Sequence, residues 1–370
     1  MKKNVIKKIL AISMVAAVGL GIVGCGSAKE KSKTVDLTNI TVDQLTEKAK
    51  AEGKLNSAGM PDSWANWEGT WNDLKTKYGI EHVDVDMTSA EEIALFESEK
   101  DNATKDIGDI GLATGPIAES KGVTLKYKTT HWDDVPDWAK DDDGDYVGGY
   151  YGTMSIITNT KLVKKAPTSF QDIVDGDYVV AVGDVSKSSQ SQAAVLSAAM
   201  AFGGGEDNLE PGYDFYKKLA EQGRLDKGDL TLARLEKGEI AVAILWDFNS
   251  LGYREQITKN NPDMSFEVHI PKDASISSGY ATIINAYAKN PYAAALAREY
   301  ILSDEGQINL AKGFAKPIRS NVKLPDDVKS KLIPDSEYVN SRAIKDTKAW
   351  GEKVKTISSD WKEKVAMYAK

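Results

Sequence analysis

Short apolar runs alternate with amphipathic stretches along most of this chain, and no other feature limits its fold as much. Lys54–Met60, His82–Met87, Ile107–Ala113 and Tyr178–Val182 have the length and composition of strands. Trp67, Trp71, Leu74 and Tyr78 fall at i, i+4, i+7 and i+11, one face of a helix that the pattern starts at Trp64. Ile240–Trp246 is apolar at every position, as expected of a strand covered on both faces. Helix starts are written in Thr41 or Asn39, in Ser89, in Asn290-Pro291 and in Ser303-Asp304-Glu305. This rhythm predicts an α/β fold with mostly parallel sheets and helices on both faces. No composition break divides the body, so two lobes would interleave in sequence.

Composition removes several function classes. Lys and Arg number 47 against 55 Asp and Glu, a net charge of −8, where a general nucleic-acid binder needs a basic excess. The single Cys forbids an intrachain disulfide, and His82, His131 and His269 lack metal-ligand spacing. Asp141–Asp145 resembles a calcium loop, but Tyr146 and Gly152 stand where that loop needs Gly and Glu, so it reads as a solvated turn. Gly19–Gly24 fits G-x-G-x-x-G without a preceding strand. No G-x-S-x-G, H-E-x-x-H or Walker motif occurs. No catalytic residue, metal or cofactor is expected.

Lys2, Lys3, Lys7 and Lys8 precede the apolar run Ile9–Val23, whose 15 residues are fewer than the roughly 20 of a spanning helix. Its ending, Ile22-Val23-Gly24-Cys25, resembles the lipobox of bacterial lipoproteins. The expectation is a signal peptide over 1–24, lipidated Cys25, and a Lys/Ser/Thr-rich tether over 25–40. The protein would then sit on the outer face of the bacterial cytoplasmic membrane.

Several later segments carry a family resemblance. They are Gly148–Asn159, Ala166-Pro167-Thr168-Ser169-Phe170-Gln171-Asp172-Ile173, Lys237–Ala243, Ile270-Pro271-Lys272 with Ser278-Gly279-Tyr280, and Leu302–Gln307 followed by Ala315–Arg319. In order and spacing they resemble the substrate-binding proteins of bacterial ABC importers. The branch is the one that includes ferric-ion, polyamine, sugar-phosphate and aminoethylphosphonate binders. The resemblance implies a fold like type II periplasmic binding proteins: two interleaved α/β lobes joined by two crossover hinge strands. One solute would bind between the lobes, and a membrane permease would receive it. The expected division is 41–158 plus 276–330 for the first lobe and 159–275 for the second, with 331–370 forming carboxyl-terminal helices packed on both.

Ligands of open α/β sheets sit outside the carboxyl ends of strands, which selects the candidate loops. Asp62 and Trp64 follow the first strand and offer a polar handle and a stacking wall. Ser186, Ser188 and Gln190 lead into a helix, where free N–H groups suit an anionic group. Trp246 and Asp247 end the apolar strand, and Asp247 is placed to meet an ammonium group. Tyr151 at the first crossover, with Ser278 and Tyr280 at the return crossover, completes the expected ligand-binding set. The ferric branch carries two adjacent Tyr near Trp246-Asp247; here Tyr253 stands alone, which argues against iron. The expected protein is a monomeric solute receptor for an amine-bearing molecule, either a zwitterion such as an aminophosphonate or a polyamine. A ferric-ion or sugar-phosphate receptor is the alternative within the fold, and a surface hydrolase or adhesin the alternative outside it.

Overall fold

The computed structural model describes residues 35–369. The expected signal peptide, Cys25 and most of the tether lie outside them. Leu37, inside the expected tether, is buried in the main core. Among the described residues no helix is long and apolar enough to cross a membrane.

The first part of the chain runs α1 (Val42–Glu52), β1 (Lys54–Ala58), α2 (Trp67–Tyr78), β2 (Glu81–Val85), α3 (Ser89–Glu99), β3 (Ile107–Gly111) and α4 (Gly115–Ser120). Thr41 opens α1 with a capping box completed by Gln44. The helix expected from Trp64 starts three residues later. Ala65 and Asn66 take left-handed backbone angles (φ 45° and 56°), and this turn frees Trp64 from the helical face. Thr88, not Ser89, caps α3, with Glu91 closing the box. Ser89 is thereby free to accept the Gly111 N–H at 2.9 Å.

The long strand β4 (Tyr146–Asn159) then leads to α5 (Phe170–Asp175), β5 (Val180–Ala181), α6 (Ser189–Ala201), α7 (Glu210–Glu221), α8 (Leu232–Glu236), β6 (Val242–Trp246), α9 (Asp247–Asn260) and β7 (Phe266–His269). The return strand β8 (Ser275–Ile284) precedes α10 (Pro291–Leu302), α11 (Asp304–Lys312), β9 (Lys316–Pro317), α12 (Asp326–Lys329), β10 (Ser341–Ala343) and α13 (Thr347–Lys364).

The strands lie in the order β2-β1-β3-β8-β4-β6-β5, with β10 on β8 and β7 and β9 on β4. Strands that alternate with helices pair parallel, as β1 does with β2 and β3, and β5 with β6. The two crossover strands run antiparallel to each other and to β3, β6, β7 and β9, and only the short β10 lies parallel on β8. The first half of β4 pairs with β8, and its second half pairs with β6 and β7. The β4 chain thus passes from the β1–β3 lobe into the β5–β7 lobe, and β8 passes back. The register of β4 against β8 shifts between Gly148 and Tyr150, so Gly149 is the extra residue of a bulge that bends the strand at the crossover. Every residue of β6 is buried, as its continuous apolar run requires, and so is every residue of β3, Asp109 included, while β2 at the sheet edge alternates.

Residues after 331 strap the body. Arg342 makes a two-pronged ion pair with Glu206, at 2.5 and 2.9 Å. This and the Lys345 N–H pull the Glu206 carboxyl down to about 2, the guanidinium bonds being the larger cause. Trp361 packs edge-on against Tyr216, and Trp350 is buried beside Leu112 and Ala113.

Candidate functional site

The carboxyl ends of β1, β2 and β3 face the loops before α6 and α8 across a cavity of about 390 Å³. Its position obeys the rule for open α/β sheets. One wall holds Gly59, Trp64, Asp86, Ser89, Glu91 and Asp109; the other holds Asp184, Lys187, Ser188–Ser191 and Asp229, with Tyr280 between. The walls touch at the rim. Lys187 Nζ meets Glu91 at 3.1 Å, and Ser189 Oγ donates to Ser89 Oγ at 3.1 Å.

The floor is aromatic. Trp64 stands edge-on to Tyr280 and Phe248, with centroids 5.8 and 6.0 Å away, and donates Nε1–H to Tyr253 Oη at 3.3 Å. Tyr280 stacks on Tyr150 at 5.6 Å and accepts the Trp246 indole N–H at 3.2 Å. These bonds fix the rings, so the wall meets a ligand already ordered.

Charge sets the chemistry. Five carboxylates line the cavity (Asp86, Glu91, Asp109, Asp184 and Asp229) against one cation, Lys187. Burial raises the Asp86 pKa, and the neighbouring Asp84 and Glu91 charges add to it. Glu91 is lowered, first by the Thr88 N–H and then by Lys187. Asp109 is driven well above the ordinary carboxylate range by burial, with the Tyr150 hydroxyl opposing at 2.7 Å. Glu92, beneath Gly59, is raised well above its usual value by burial and then by Asp109. The position of Gly59 requires glycine. Its φ is +69°, and a Cβ there would lie 2.2 Å from Glu92 Oε1.

Ser57, His82 and Asp84 form a hydrogen-bonded chain nearby, but in the wrong order for a nucleophile. Ser57 donates to Asp84 at 2.5 Å and meets His82 Nε2 at 2.8 Å. The carboxylate therefore holds the serine, whereas a hydrolytic triad needs it on the imidazole. Burial pushes His82 down to about 3, so the ring is neutral.

The family model for bacterial extracellular solute-binding proteins matches residues 116–342, well over half of the chain. The chain belongs to this family. It is therefore a solute-binding protein of an ABC importer, working outside the cytoplasm with a small-molecule ligand and a permease as partners, and it is not an enzyme. No curated relative matches it by sequence. Solved structures share its fold. AfuA of Actinobacillus pleuropneumoniae, with exogenous fructose-6-phosphate bound, is 18% identical, with a TM-score of 0.69 over 84% of this chain and 98% of its own. A periplasmic thiamin binding protein is 15% identical, with a TM-score of 0.68 over 85% and 96%. Iron-bound HitA from Pseudomonas aeruginosa is 16% identical, with a TM-score of 0.64 over 83% and 98%. These are type II periplasmic binding proteins, and identities this low carry the fold alone.

Of the residues expected from sequence, the solute-binding protein brings Trp64, Ser188, Gln190 and Tyr280 together on the cavity. Gln190 Oε1 also accepts the Trp246 N–H at 3.1 Å and the Asn249 amide at 2.9 Å, which ties α6 to the end of β6. Trp246 is buried, does not line the cavity, and donates its indole N–H to Tyr280, which does. Asp62 is exposed on the turn before Trp64 and does not line the cavity. Ser186 turns its hydroxyl onto Asp184 at 2.5 Å. Ser278 faces a second cavity of about 490 Å³, with Trp138, Tyr146 and Trp350. Tyr151 is half-buried edge-on to Trp138. Asp247 departs most from expectation. It is buried in the hinge, accepting the Thr153 and Phe248 N–H groups at 3.0 and 2.9 Å and the Tyr338 hydroxyl at 2.7 Å.

Sequence reasoning passed over Asp86, Glu91, Asp109 and Asp229. The signal for the first and third was available. Asp86 ends the His82–Met87 run, and Asp109 interrupts the apolar Ile107–Ala113, where a charge among apolar neighbours needs a reason.

Proposed function

We propose that this solute-binding protein captures a small organic cation, an amine or a molecule with an ammonium end, and that Cys25 anchors it to the membrane. The observation that carries the first part is the acidic lining of the cavity, five carboxyl groups to one lysine, over an aromatic floor. A cation gains from both: carboxylates attract it, and a tryptophan or tyrosine face adds about 0.5–2 kcal/mol where water is excluded. Phosphorylated sugars and other polyanions would meet the same carboxylates as repulsion. A zwitterion remains compatible, because Ser188 and Ser189 at the start of α6 lie opposite the acidic wall and offer hydroxyl and N–H groups to an anionic end.

Closure follows from the same geometry. A ligand touching both walls stabilises the form in which Glu91 meets Lys187 and Ser89 meets Ser189, and this is the form a permease can distinguish.

A thermal-shift and calorimetric panel tests the ligand class. It contains 1,4-diaminobutane, choline, 4-aminobutanoate, 2-aminoethylphosphonate, thiamin, fructose-6-phosphate and ferric citrate. At least one ammonium compound is expected to raise the melting temperature, with affinity falling as salt is added. Response to the sugar phosphate or iron alone would sink the cation reading. For the anchor, Cys25→Ser is expected to leave the protein unprocessed or release it from membranes. A processed, acylated, membrane-bound mutant would refute it.

A further inference from the structure

Asp109 and Glu92 form a buried pair of carboxyl groups with unmatched oxygens. Asp109 is 2% exposed and lines the cavity. Its Oδ2 accepts the Tyr150 hydroxyl at 2.7 Å, while Oδ1 has no hydrogen-bond partner among the described residues. Glu92 is 0% exposed and lies directly behind, with Oε2 accepting the Asp109 N–H at 3.0 Å and Oε1 unpartnered. The absence of side chains at Gly59 and Gly108 makes room for it; a Cβ at either would lie 2.2 or 2.5 Å from a Glu92 oxygen.

The surroundings offer this pair little positive charge. Asp84 and Asp86 face Glu92 from β2 and the turn after it, both with the same sign of charge. Tyr150 from β4 and Tyr280 from β8 are neutral phenols. Glu91 on α3 is held by Thr88 and by Lys187, and Lys187 is the one cation on the cavity wall, occupied at the rim. Two buried carboxylates side by side, without a cation, cannot both stay ionised.

We propose that the ammonium group of the cargo docks on Asp109 Oδ1, and that its arrival expels a proton held by the Asp109–Glu92 pair, so that capture releases about one proton. This rests on the organic-cation reading. The step is a balanced exchange: the proton leaves a carboxyl oxygen for solvent buffer, and the ammonium charge takes its place. Burial pushes both groups above the usual carboxylate range, so the empty site favours keeping on the pair the proton that the cargo displaces. A bound cation favours their ionised form, so affinity rises with pH, by about tenfold per pH unit while one full proton is released. A receptor built this way grips its cargo more weakly wherever the outer medium turns acidic.

Calorimetric titration with 1,4-diaminobutane, 4-aminobutanoate and 2-aminoethylphosphonate, each in buffers of low and high ionisation enthalpy, counts the protons. The expected result for any amine that binds is release of about one proton and the pH slope above. Asp109→Asn, which keeps an acceptor for Tyr150, should weaken amine binding at least 30-fold at the alkaline end of the range, with the gap to the parent protein narrowing as pH falls. Glu92→Gln should retain binding but flatten the slope and reduce the proton count. Amine binding with no proton exchange overturns this proposal and leaves the cation reading standing. An Asp109→Asn protein that melts lower but binds normally overturns it too, assigning the pair to the core. Failure of all three amines, while fructose-6-phosphate or ferric citrate binds, removes the cation reading and this proposal with it.

Discussion

Arg298→Met should be among the most damaging single substitutions in the folded body, lowering unfolding free energy by about 3–5 kcal/mol. The side chain is fully buried on α10 with no ion pair to a carboxylate among the described residues, although the Asp141 and Asp145 charges act on it. Its charge is distributed over oxygens instead. Nη1 donates to the Tyr127 and Gly144 carbonyls at 3.0 and 2.9 Å, Nη2 to the Thr282 carbonyl at 2.8 Å, and Nε to Thr282 Oγ1 at 3.0 Å. Burial lowers its pKa to about 10, so the group stays charged at neutral pH. Methionine fills similar volume but donates nothing, leaving carbonyls that cannot reach water. Arg298→Lys should recover part of the loss, because one ammonium cannot span the fork of acceptors. Denaturant unfolding decides the matter: the midpoint should fall with little change in slope. A loss under about 1 kcal/mol would mean that these carbonyls find other donors.

The partners of Arg298 show which parts of the fold the network joins. Thr282 belongs to the crossover strand β8, and Tyr127 and Gly144 belong to the long segment before β4, the other crossover. Glu299 beside it holds the Tyr127 hydroxyl at 2.9 Å and the Thr130 N–H at 3.0 Å. One helix therefore holds both the crossover strand β8 and the segment that leads into β4.

How far this could be read from sequence depends on the range of the cause. The start of α10 was legible because Asn290 and Pro291 act locally. The burial of Arg298 was not, since its partners lie 16 to 171 residues away. The candidate loops were legible because strand ends project toward the cleft. Trp64 appeared for that reason, yet what frees its indole is the Ala65–Asn66 left-handed turn, which non-glycine residues seldom advertise. Asp86 and Asp109 were hidden by a habit of reading strands for apolar residues alone. In β3 every position is buried, and the one charged residue is the one that lines the cavity.

Asp247→Ala is expected to cost about 3 kcal/mol of stability while solute affinity, measured on the folded protein, changes less than threefold. Sequence placed this carboxylate at a strand's carboxyl end and therefore in the cleft. Neighbouring side chains at such an end diverge, however, and Trp246 turns to Tyr280 while Asp247 turns to the opposite side. There Oδ1 takes the Thr153 and Phe248 N–H groups, and Oδ2 takes the hydroxyl of Tyr338, from the strap after residue 331. Lys316 lies over the Tyr338 ring, 3.1 Å from its centroid, and its charge partly offsets the cost of burying the carboxylate. Nothing in the local sequence signals Tyr338, 91 residues downstream. Tyr338→Phe removes one of the three bonds and should cost about 1 kcal/mol, and the double mutant should lose less than the sum, because both changes act on one bond. Calorimetry on the Ala mutant separates hinge from site. Thousand-fold weaker amine binding with unchanged melting would return Asp247 to the ligand, and the hinge assignment would fall.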